Sequence, residues 1–377
     1  MPARTSSVTA RTFAALALPL VAFFMWACAW LTDQKIYLKQ PLSWLPLYPT
    51  RLVLIALSAG LLVVAFVVGV LRSSRAKWWK RTCAVGLAGA LTTLCLETVF
   101  MFVPRSHNVG YTLAAHLWHR LFWKPVNSLG YRDGEHTRVA GKRLVFALGD
   151  SFTAGDGLTS TSQRFSDLVA EGRPDLQVMN LGVNGADTRD EWRNLQAHPL
   201  RPDVLVLEYY PNDIEGAMKA AGKSIDAFTP YDDIPFVHAR LWVRASYVAN
   251  FVYWQFQHAD LLGYSKSLEQ GFRDEAVFAA HLQDLERFCS YAKERGIPFF
   301  VVVFPLMNDL EYCRDRIVRV EEVFTTHGAR VLDVAALVRD LDVDARTVNR
   351  QNAHASAAVN QRVADELVRL LPPGLPH

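Results

Sequence analysis

The sequence predicts an α/β protein: a three-layer α/β/α sandwich with a parallel sheet, preceded by three transmembrane helices. Three observations predict this. The first hundred residues contain three long apolar runs, and from residue 143 onward short apolar runs alternate with longer amphipathic ones. Small or hydrogen-bonding residues follow the first three of the short runs. Such alternation is typical of parallel strands joined by helices that cover both faces of a sheet.

The three apolar runs are each about 20 residues long, enough to cross roughly 30 Å of hydrocarbon as helices. They lie at 12–32, 52–71 and 83–103. A cleaved signal peptide is the alternative for the first run. That run, however, exceeds the roughly 7 to 15 residues of a signal core, and no small-x-small cleavage site follows it.

Basic residues set the expected orientation of these spans. The stretch 72–81 carries five lysines and arginines, against three in the loop 33–51. Because basic flanks stay in the cytoplasm, we expect a cytoplasmic N-terminus. With three spans, everything after residue 103 then faces the extracytoplasmic space.

These features predict three regions. A membrane domain covers 1–104, a linker covers 105–142, and a globular domain covers 143–377. The linker contains an aromatic and basic stretch at 111–127 that predicts an interfacial helix, with a packed helix of the globular domain as the alternative. Within the globular domain, 214–274 is long and aromatic, and we interpret it as a helical insertion that forms a lid or faces the membrane.

The globular domain is expected to contain five strands, with helices between them. The predicted strands are 143–148, 176–183, 203–210, 298–304 and 329–334. The predicted helices lie near 162–171, 187–196, 275–295, 312–327 and 357–371. Ligands of open parallel sheets bind beyond the carboxyl ends of the strands, so the residues that follow the strands are the first candidates for a site.

Composition excludes several classes of function. The net charge is only +3, and no stripe of lysine and arginine interleaved with aromatic residues is present, so nucleic acid is not an expected partner. Of five cysteines, only Cys289 and Cys313 lie in the globular domain. Their spacing does not fit a metal site, although a single bridge between them is compatible with the sequence. We expect neither a metal nor another cofactor.

Three residues after the first three strands carry the predicted chemistry. Ser151 follows the first strand, Gly185 the second and Asn212 the third. Acyl transfer by a serine needs a hydroxyl, a base, and donors aimed at the developing oxyanion. The hydroxyl of Ser151, the N–H groups of Ser151 and Gly185, and the amide of Asn212 can supply all but the base. A helix cap is the alternative role for Ser151.

These blocks resemble the GDSL, or SGNH, hydrolase superfamily. The motif GDSFTAG at 149–155 resembles its first block, and HASAAVNQRVADELVRLL, which begins at His354, resembles its last block with the helix that follows. The stretch VNSLGYRDGEH at 126–136 is similar to the lead-in of membrane-attached members. The resemblance implies that Ser151 is the nucleophile and His354 the base. It implies an oxyanion hole formed by Ser151, Gly185 and Asn212.

The sequence departs from this pattern just before the histidine. The family places an acid three residues earlier, where this chain has Gln351, with Asn352 next. An amide can hold the imidazole tautomer but does not stabilise an imidazolium as a carboxylate does. Two interpretations stay open. An acid comes from elsewhere, or a neutral amide or backbone carbonyl supports a Ser–His dyad. Asp340, Asp342 and Asp344 are close by in sequence.

The leading interpretation is a membrane-anchored, extracytoplasmic serine esterase that acts on an ester or O-acetyl group of a lipid or envelope glycan. One alternative is an O-acetyltransferase that passes the acyl group to a sugar hydroxyl of a cell-envelope glycan. A second is a catalytically degenerate domain that acts as a scaffold in an envelope complex, as the missing acid suggests. The expected partners are the membrane and the ester-bearing substrate, and the sequence identifies no protein partner.

Overall fold

The computed structural model describes residues 77–101, 123–225, 246–255, 259–349 and 352–373, together with Ala114 and scattered positions between 56 and 67. The first predicted span, most of the second span, and most of the predicted interfacial stretch lie outside the described residues, as does Gln351. Part of the predicted insertion, 226–245 and 256–258, also lies outside them.

The chain divides into two compact units. The first comprises Met1–Arg105, Val109–Trp118 and Thr229–Gln257, and the second comprises Ser106–Asn108, His119–Phe228 and His258–His377. The described helices are α1 (Lys77–Phe100), α2 (Ser151–Ala154), α3 (Phe165–Gly172), α4 (Thr188–Ala197), α5 (Glu215–Ala220), α6 (Tyr247–Gln255), α7 (Ala259–Arg273), α8 (Glu275–Arg295), α9 (Arg314–Thr326), α10 (Val334–Leu337), α11 (Val343–Arg346) and α12 (Ala357–Leu370).

In the first unit, a buried glutamate of α1 holds the beginning of α6. Glu97 accepts a hydrogen bond from the Ser246 hydroxyl and another, of 2.7 Å, from the N–H of Tyr247. The rings of Phe100 and Phe251 pack 5.1 Å apart. An anion at a helix N-terminus satisfies free N–H groups, which explains why this charge is tolerated in an apolar helix. Within the described ranges, no helix has both the length and the apolar character that crossing a membrane requires.

The second unit is built on a parallel sheet of five strands, as the sequence predicts. The strands are β1 (Arg143–Gly149), β2 (Leu176–Gly182), β3 (Val204–Tyr209), β4 (Phe299–Val303) and β5 (Arg330–Asp333). Their spatial order is β2-β1-β3-β4-β5, and all pairings are parallel. The chain leaves β1 to one side for β2 and returns to its other side for β3. This reversal of strand order is where ligands bind in such sheets.

Helices cover both faces of this sheet, and the alternation of side chains along β1 shows why. Leu144, Phe146 and Leu148 enter a core shared with α4, α8 and α9, whereas Val145 and Ala147 enter a second core shared with α3 and α12. Strand side chains point alternately to the two faces, so a strand that is apolar at every position must be covered twice.

Two parts of the second unit bear on the remaining predictions. A small antiparallel hairpin, β6 (Thr347–Asn349) and β7 (Asn352–Ala355), precedes α12 and was not predicted. Within the predicted insertion, Leu268 and Phe272 of α7 are buried in the core shared with α8. This described part of the insertion therefore packs as a core helix.

Candidate active site

Ser151 stands at the beginning of α2, directly after the carboxyl end of β1. Asp150 caps this short helix, since its carboxylate accepts a hydrogen bond of 2.7 Å from the N–H of Phe152. Gly149 permits the tight turn, because a Cβ there would overlap the side chains of Thr153 and Glu208. Ser151 is thus a helix residue, and Asp150, its neighbour, is the cap. Ser151 therefore does not cap this helix.

The histidine from the end of the chain contacts this serine. Nε2 of His354 lies 2.7 Å from Oγ of Ser151, although 203 positions separate the two residues. His354 lies on β7, and its ring packs 5.0 Å from the ring of Phe152. On the other side of the ring, Nδ1 lies 2.5 Å from Oδ1 of Asn352. Because an amide oxygen only accepts, Nδ1 carries the proton and Nε2 is free to accept from the serine.

The amide of Asn352 in turn contacts a carboxylate. Nδ2 of Asn352 donates to Oδ1 of Asp156 across 3.2 Å, and the same carboxylate oxygen lies 3.9 Å from Nδ1 of His354. Asn184 donates to the other oxygen of Asp156 across 2.6 Å. Asp156 is buried. Asp156 was not predicted as a site residue, although it directly follows the motif at 149–155 that contains Ser151.

Two of the acids proposed from the sequence are engaged elsewhere. Asp340 pairs with Arg362, and the carboxylate of Asp342 caps α11 by accepting from the N–H of Ala345 across 2.8 Å. Asn352, one of the two residues before the histidine that the sequence singled out, contacts the imidazole, and the other, Gln351, lies outside the described residues. The neighbouring acid is therefore Asp156.

The predicted oxyanion donors follow the carboxyl ends of three adjacent strands, β2, β1 and β3. Among the described residues, neither the N–H of Ser151 nor that of Gly185 has a hydrogen-bond acceptor. Gly185 has φ +73°, a left-handed conformation that suits glycine, and the space beside its Cα is open. Asn212 lies in the turn after β3, and one of its amide hydrogens is donated to Asp150 across 2.9 Å. Its second amide hydrogen remains available.

Four buried carboxyl groups lie beneath the nucleophile. Burial raises the pKa of Asp150, and it raises the pKa of Glu191, Glu208 and Asp213 well above the usual range for carboxyl groups. For Glu191, Glu208 and Asp213, repulsion by neighbouring carboxylates adds to the effect, because each ionised neighbour disfavours ionisation of the next. Glu208 binds the motif directly: its carboxyl group accepts from the N–H of Asp150 and the hydroxyl of Thr153.

Metal and thiol chemistry find no support in the described ranges. No group of three His, Cys, Asp or Glu side chains there is placed to hold a metal ion. Cys289 and Cys313 are buried free thiols, so the bridge that the sequence allows is not formed. Burial raises the pKa of Cys289 to about 12 and that of Cys313 to about 11, which keeps both thiols protonated at neutral pH.

The loop that follows α2 is held by a buried arginine from the lead-in segment 126–136. The guanidinium of Arg132 donates to the carbonyl of Gly155 across 2.7 Å and to those of Ala154 and Leu158 across 3.3 Å. Burial, assisted by Arg164, lowers the pKa of Arg132 to about 10, which still leaves it charged at neutral pH. Asp156 lies in the segment that these bonds fix.

The arrangement contains each group that acyl transfer needs. A hydroxyl contacts an imidazole of defined tautomer, and donors without a partner lie at the carboxyl ends of neighbouring strands. A carboxyl ester is the group that such a site can attack, because its carbonyl oxygen becomes the anion that N–H donors stabilise.

Comparison with known proteins gives one significant family match. A model described as GDSL-like Lipase/Acylhydrolase family matches residues 147–362, more than half of the chain. No curated protein matches the sequence significantly.

Several solved structures are similar to this chain at low identity. The lipase/acylhydrolase from Enterococcus faecalis is 19% identical over 62% of this chain and 100% of its own, with a TM-score of 0.37. A member of the lipolytic protein G-D-S-L family from Veillonella parvula DSM 2008 is 12% identical over 60% and 97%, with a TM-score of 0.34. A mutant acetyl-xylooligosaccharide esterase from Geobacillus Stearmophilus is 16% identical over 62% and 95%, with a TM-score of 0.32.

Proposed function

Because this chain belongs to the GDSL-like lipase/acylhydrolase family, we propose that it is a serine esterase whose nucleophile is Ser151. One observation carries the proposal: Oγ of Ser151 lies 2.7 Å from Nε2 of His354. A nucleophile and its base must be within hydrogen-bond reach, and the ring nitrogen that faces the serine must be the one without a proton. Asn352 secures that tautomer by accepting from Nδ1.

In the proposed reaction, Oγ of Ser151 attacks the acyl carbonyl carbon of the ester while His354 takes the hydroxyl proton. The carbonyl oxygen becomes an anion that the N–H groups of Ser151 and Gly185 and the side-chain amide of Asn212 stabilise. The tetrahedral species collapses, and the alcohol leaves with the proton from His354. Water then attacks the acyl-serine while His354 takes one of its protons. The second tetrahedral species collapses, the bond to Oγ of Ser151 breaks as Oγ regains the proton from His354, and the carboxylic acid is released.

We further propose that this domain is anchored to a membrane and faces the extracytoplasmic space. The three apolar runs of about 20 residues and the basic flanks support this. A tethered active site meets substrates at or near the membrane, so an ester or O-acetyl group of a lipid or envelope glycan is the proposed substrate class. The proposed reaction needs no cofactor.

The test of the activity uses the full-length chain purified in detergent. We expect a fluorophosphonate probe to label the chain and short acyl esters of p-nitrophenol to be hydrolysed. Ser151→Ala should abolish both, since the nucleophile is absent. The matched control is Ser160→Ala, because Ser160 is an exposed serine of the same unit. Labelling and turnover that persist in Ser151→Ala would exclude Ser151 as the nucleophile, and unlabelled wild-type chain would favour the scaffold alternative.

Product analysis separates the esterase from the transferase. Wild-type chain is incubated with an acetyl ester donor and an oligosaccharide acceptor, and the acetate and acetylated sugar are measured. Free acetate alone supports hydrolysis. Acetylated sugar that requires Ser151 would replace the esterase proposal by acyl transfer to a sugar hydroxyl.

The proposed orientation is tested by reporter fusions. Alkaline phosphatase is active only outside the cytoplasm and green fluorescent protein fluoresces only inside it. We expect phosphatase activity without fluorescence for fusions after residue 377, and the opposite for fusions after residue 76, which lies between the second and third proposed spans. Fluorescence of the C-terminal fusion would overturn the proposed topology.

A further inference from the structure

We propose that Asp156 is a positioning residue that acts on His354 through Asn352, and thereby supplies the carboxylate missing from its usual place before the histidine. The inference rests on the proposed esterase function and concerns the same site. Asp156 is far from His354 in sequence and lies in the loop that follows the nucleophile.

The hydrogen bonds of these three residues form one continuous chain with a single direction. Nδ1 of His354 donates to Oδ1 of Asn352, and Nδ2 of Asn352 donates to Oδ1 of Asp156. The backbone N–H of His354 also donates to Oδ1 of Asn352, at 3.0 Å. Reversal of the amide would place its NH₂ group against the backbone N–H of His354 and its oxygen against the carboxylate of Asp156, so the contacts fix the orientation of Asn352.

The carboxylate is close enough to act on the ring charge directly. Oδ1 of Asp156 lies 3.9 Å from Nδ1 of His354, at a buried position where solvent screens little. When Ser151 transfers its proton, the imidazole becomes positive, and a negative group at this distance favours that form. The amide orients the ring and the carboxylate stabilises its charge, two functions that one aspartate combines in a Ser-His-Asp triad.

The surroundings of Asp156 hold its carboxylate in place. Asn184 donates to Oδ2 across 2.6 Å, and the N–H of Asp156 itself donates to the carbonyl of Ser151 across 2.9 Å. A Cβ on Gly157 would approach Nδ2 of Asn352 to 2.6 Å, so this glycine admits the amide. Asp150 also faces His354, and its carboxylate accepts hydrogen bonds from the N–H of Phe152 and from the side-chain amide of Asn212. Asp150 is unchanged in the variants below.

The decisive experiment exchanges the two side chains. In Asp156→Asn the carboxylate is lost, and because Asn352 and Asn184 both donate to this position, the new amide directs its own donor group towards one of them. In the double variant D156N/N352D, the amide at 156 donates to the carboxylate at 352, still accepts from Asn184, and leaves a carboxylate oxygen for Nδ1 of His354. The exchange keeps a hydrogen bond at each of these contacts, although the one between residues 156 and 352 is reversed in direction. It places the negative charge directly beside the imidazole.

The measurement is the second-order rate of fluorophosphonate labelling of the full-length chain as a function of pH, combined with NMR titration of the His354 ring. In Asp156→Asn we expect the plateau rate to fall about tenfold or more, and the acid limb of the pH profile to move to lower pH, since a nearby carboxylate no longer favours the imidazolium. D156N/N352D should recover at least the position of the acid limb. A matched control is Asp340→Asn, whose carboxylate instead pairs with Arg362.

Three outcomes are separable. If wild-type chain is not labelled, the proposed esterase function fails, and the NMR titration of His354 still tests the contact with Asp156. If Asp156→Asn is folded by thermal unfolding and keeps the wild-type pH midpoint, Asp156 has no electrostatic effect on His354 and the inference is overturned. The same conclusion follows if D156N/N352D is folded but its midpoint stays at that of Asp156→Asn.

Discussion

The carboxylate of Asp150 accepts a hydrogen bond of 2.9 Å from the side-chain amide of Asn212. Asp150 follows β1 and Asn212 follows β3. These two strands are not consecutive in the chain but are neighbours in the sheet, so the hydrogen bond joins their carboxyl ends. The same carboxylate accepts from the N–H of Phe152, so it fixes the nucleophile's helix and the proposed oxyanion donor together. Burial raises the pKa of Asp150, and these two donors oppose that shift.

Replacement of Asn212 by alanine is expected to slow hydrolysis strongly and to lower the free energy of unfolding by about 1 to 3 kcal/mol, since the buried carboxylate of Asp150 loses one of its donors. One amide hydrogen is donated to Asp150, and the other is the proposed oxyanion donor. Loss of one such donor costs about 10²- to 10³-fold in kcat. Steady-state hydrolysis of a p-nitrophenyl ester by the full-length chain measures this. Asn194→Ala, on α4, is the control, and a kcat within twofold of wild type in Asn212→Ala would exclude Asn212 from the oxyanion hole.

The sheet could be predicted from sequence because buried parallel strands have a simple signature. β1 is apolar from Leu144 to Leu148, between the basic residues Lys142 and Arg143 and the final Gly149. The predicted and observed bounds of the five strands differ by at most one residue at each end. The hairpin β6–β7 was missed because its strands have three and four residues and carry no apolar pattern.

The candidate site was partly predictable for a related reason. Ser151, Gly185 and Asn212 follow strand ends, and parallel topology brings strand ends together. The contact between Asp156 and Asn352 could not be predicted in this way, since 196 positions separate the residues and the sequence has no code for side-chain orientation. Closeness to the histidine in sequence therefore does not identify the acid that lies close to it in space.

Replacement of Arg132 by methionine is expected to destabilise the second unit and lower activity. Its guanidinium donates to three buried carbonyl groups of the segment 154–158, and an apolar chain would leave them unpaired. We expect the free energy of unfolding to fall by about 3 kcal/mol, from unsatisfied buried acceptors. Thermal unfolding and labelling by the fluorophosphonate probe measure the two effects. Arg138→Met, at an exposed pair with Asp203, should change neither measurably.

Replacement of Glu208 by glutamine is expected to stabilise the protein at high pH. Burial raises the pKa of Glu208 well above its usual value of 4.5, and Asp150 and Asp213 add to this. Below pH 4.5 both states hold the proton, so stability is unaffected. Above it the unfolded chain releases the proton first, and stability falls by up to about 1.4 kcal/mol per pH unit until the folded pKa is reached.

Glutamine cannot ionise, so it removes that loss. The Tm of Glu208→Gln should therefore equal or fall below that of wild type near about pH 4 and exceed it near about pH 9. The exposed residue Glu294 provides the matched Glu→Gln control, Glu294→Gln, measured at the same pH values. A constant difference for Glu208→Gln across the whole range would contradict the buried, protonated state of this carboxyl group.

Replacement of His281 by glutamine is expected to flatten the loss of stability in acid. His281 is buried on α8, its Nε2 lies 3.1 Å from the hydroxyl of Tyr209, and burial lowers its pKa from 6.5 to about 3. Between these values the unfolded chain takes up a proton that the folded chain does not, so stability falls as pH decreases from 6.5 to about 3. Glutamine keeps an acceptor for Tyr209 and does not titrate. Tm measured over this range should decline less steeply in His281→Gln than in wild type, whereas exposed His327→Gln should follow the wild-type slope. Equal slopes for wild type and His281→Gln would show that His281 does not resist protonation in the folded state.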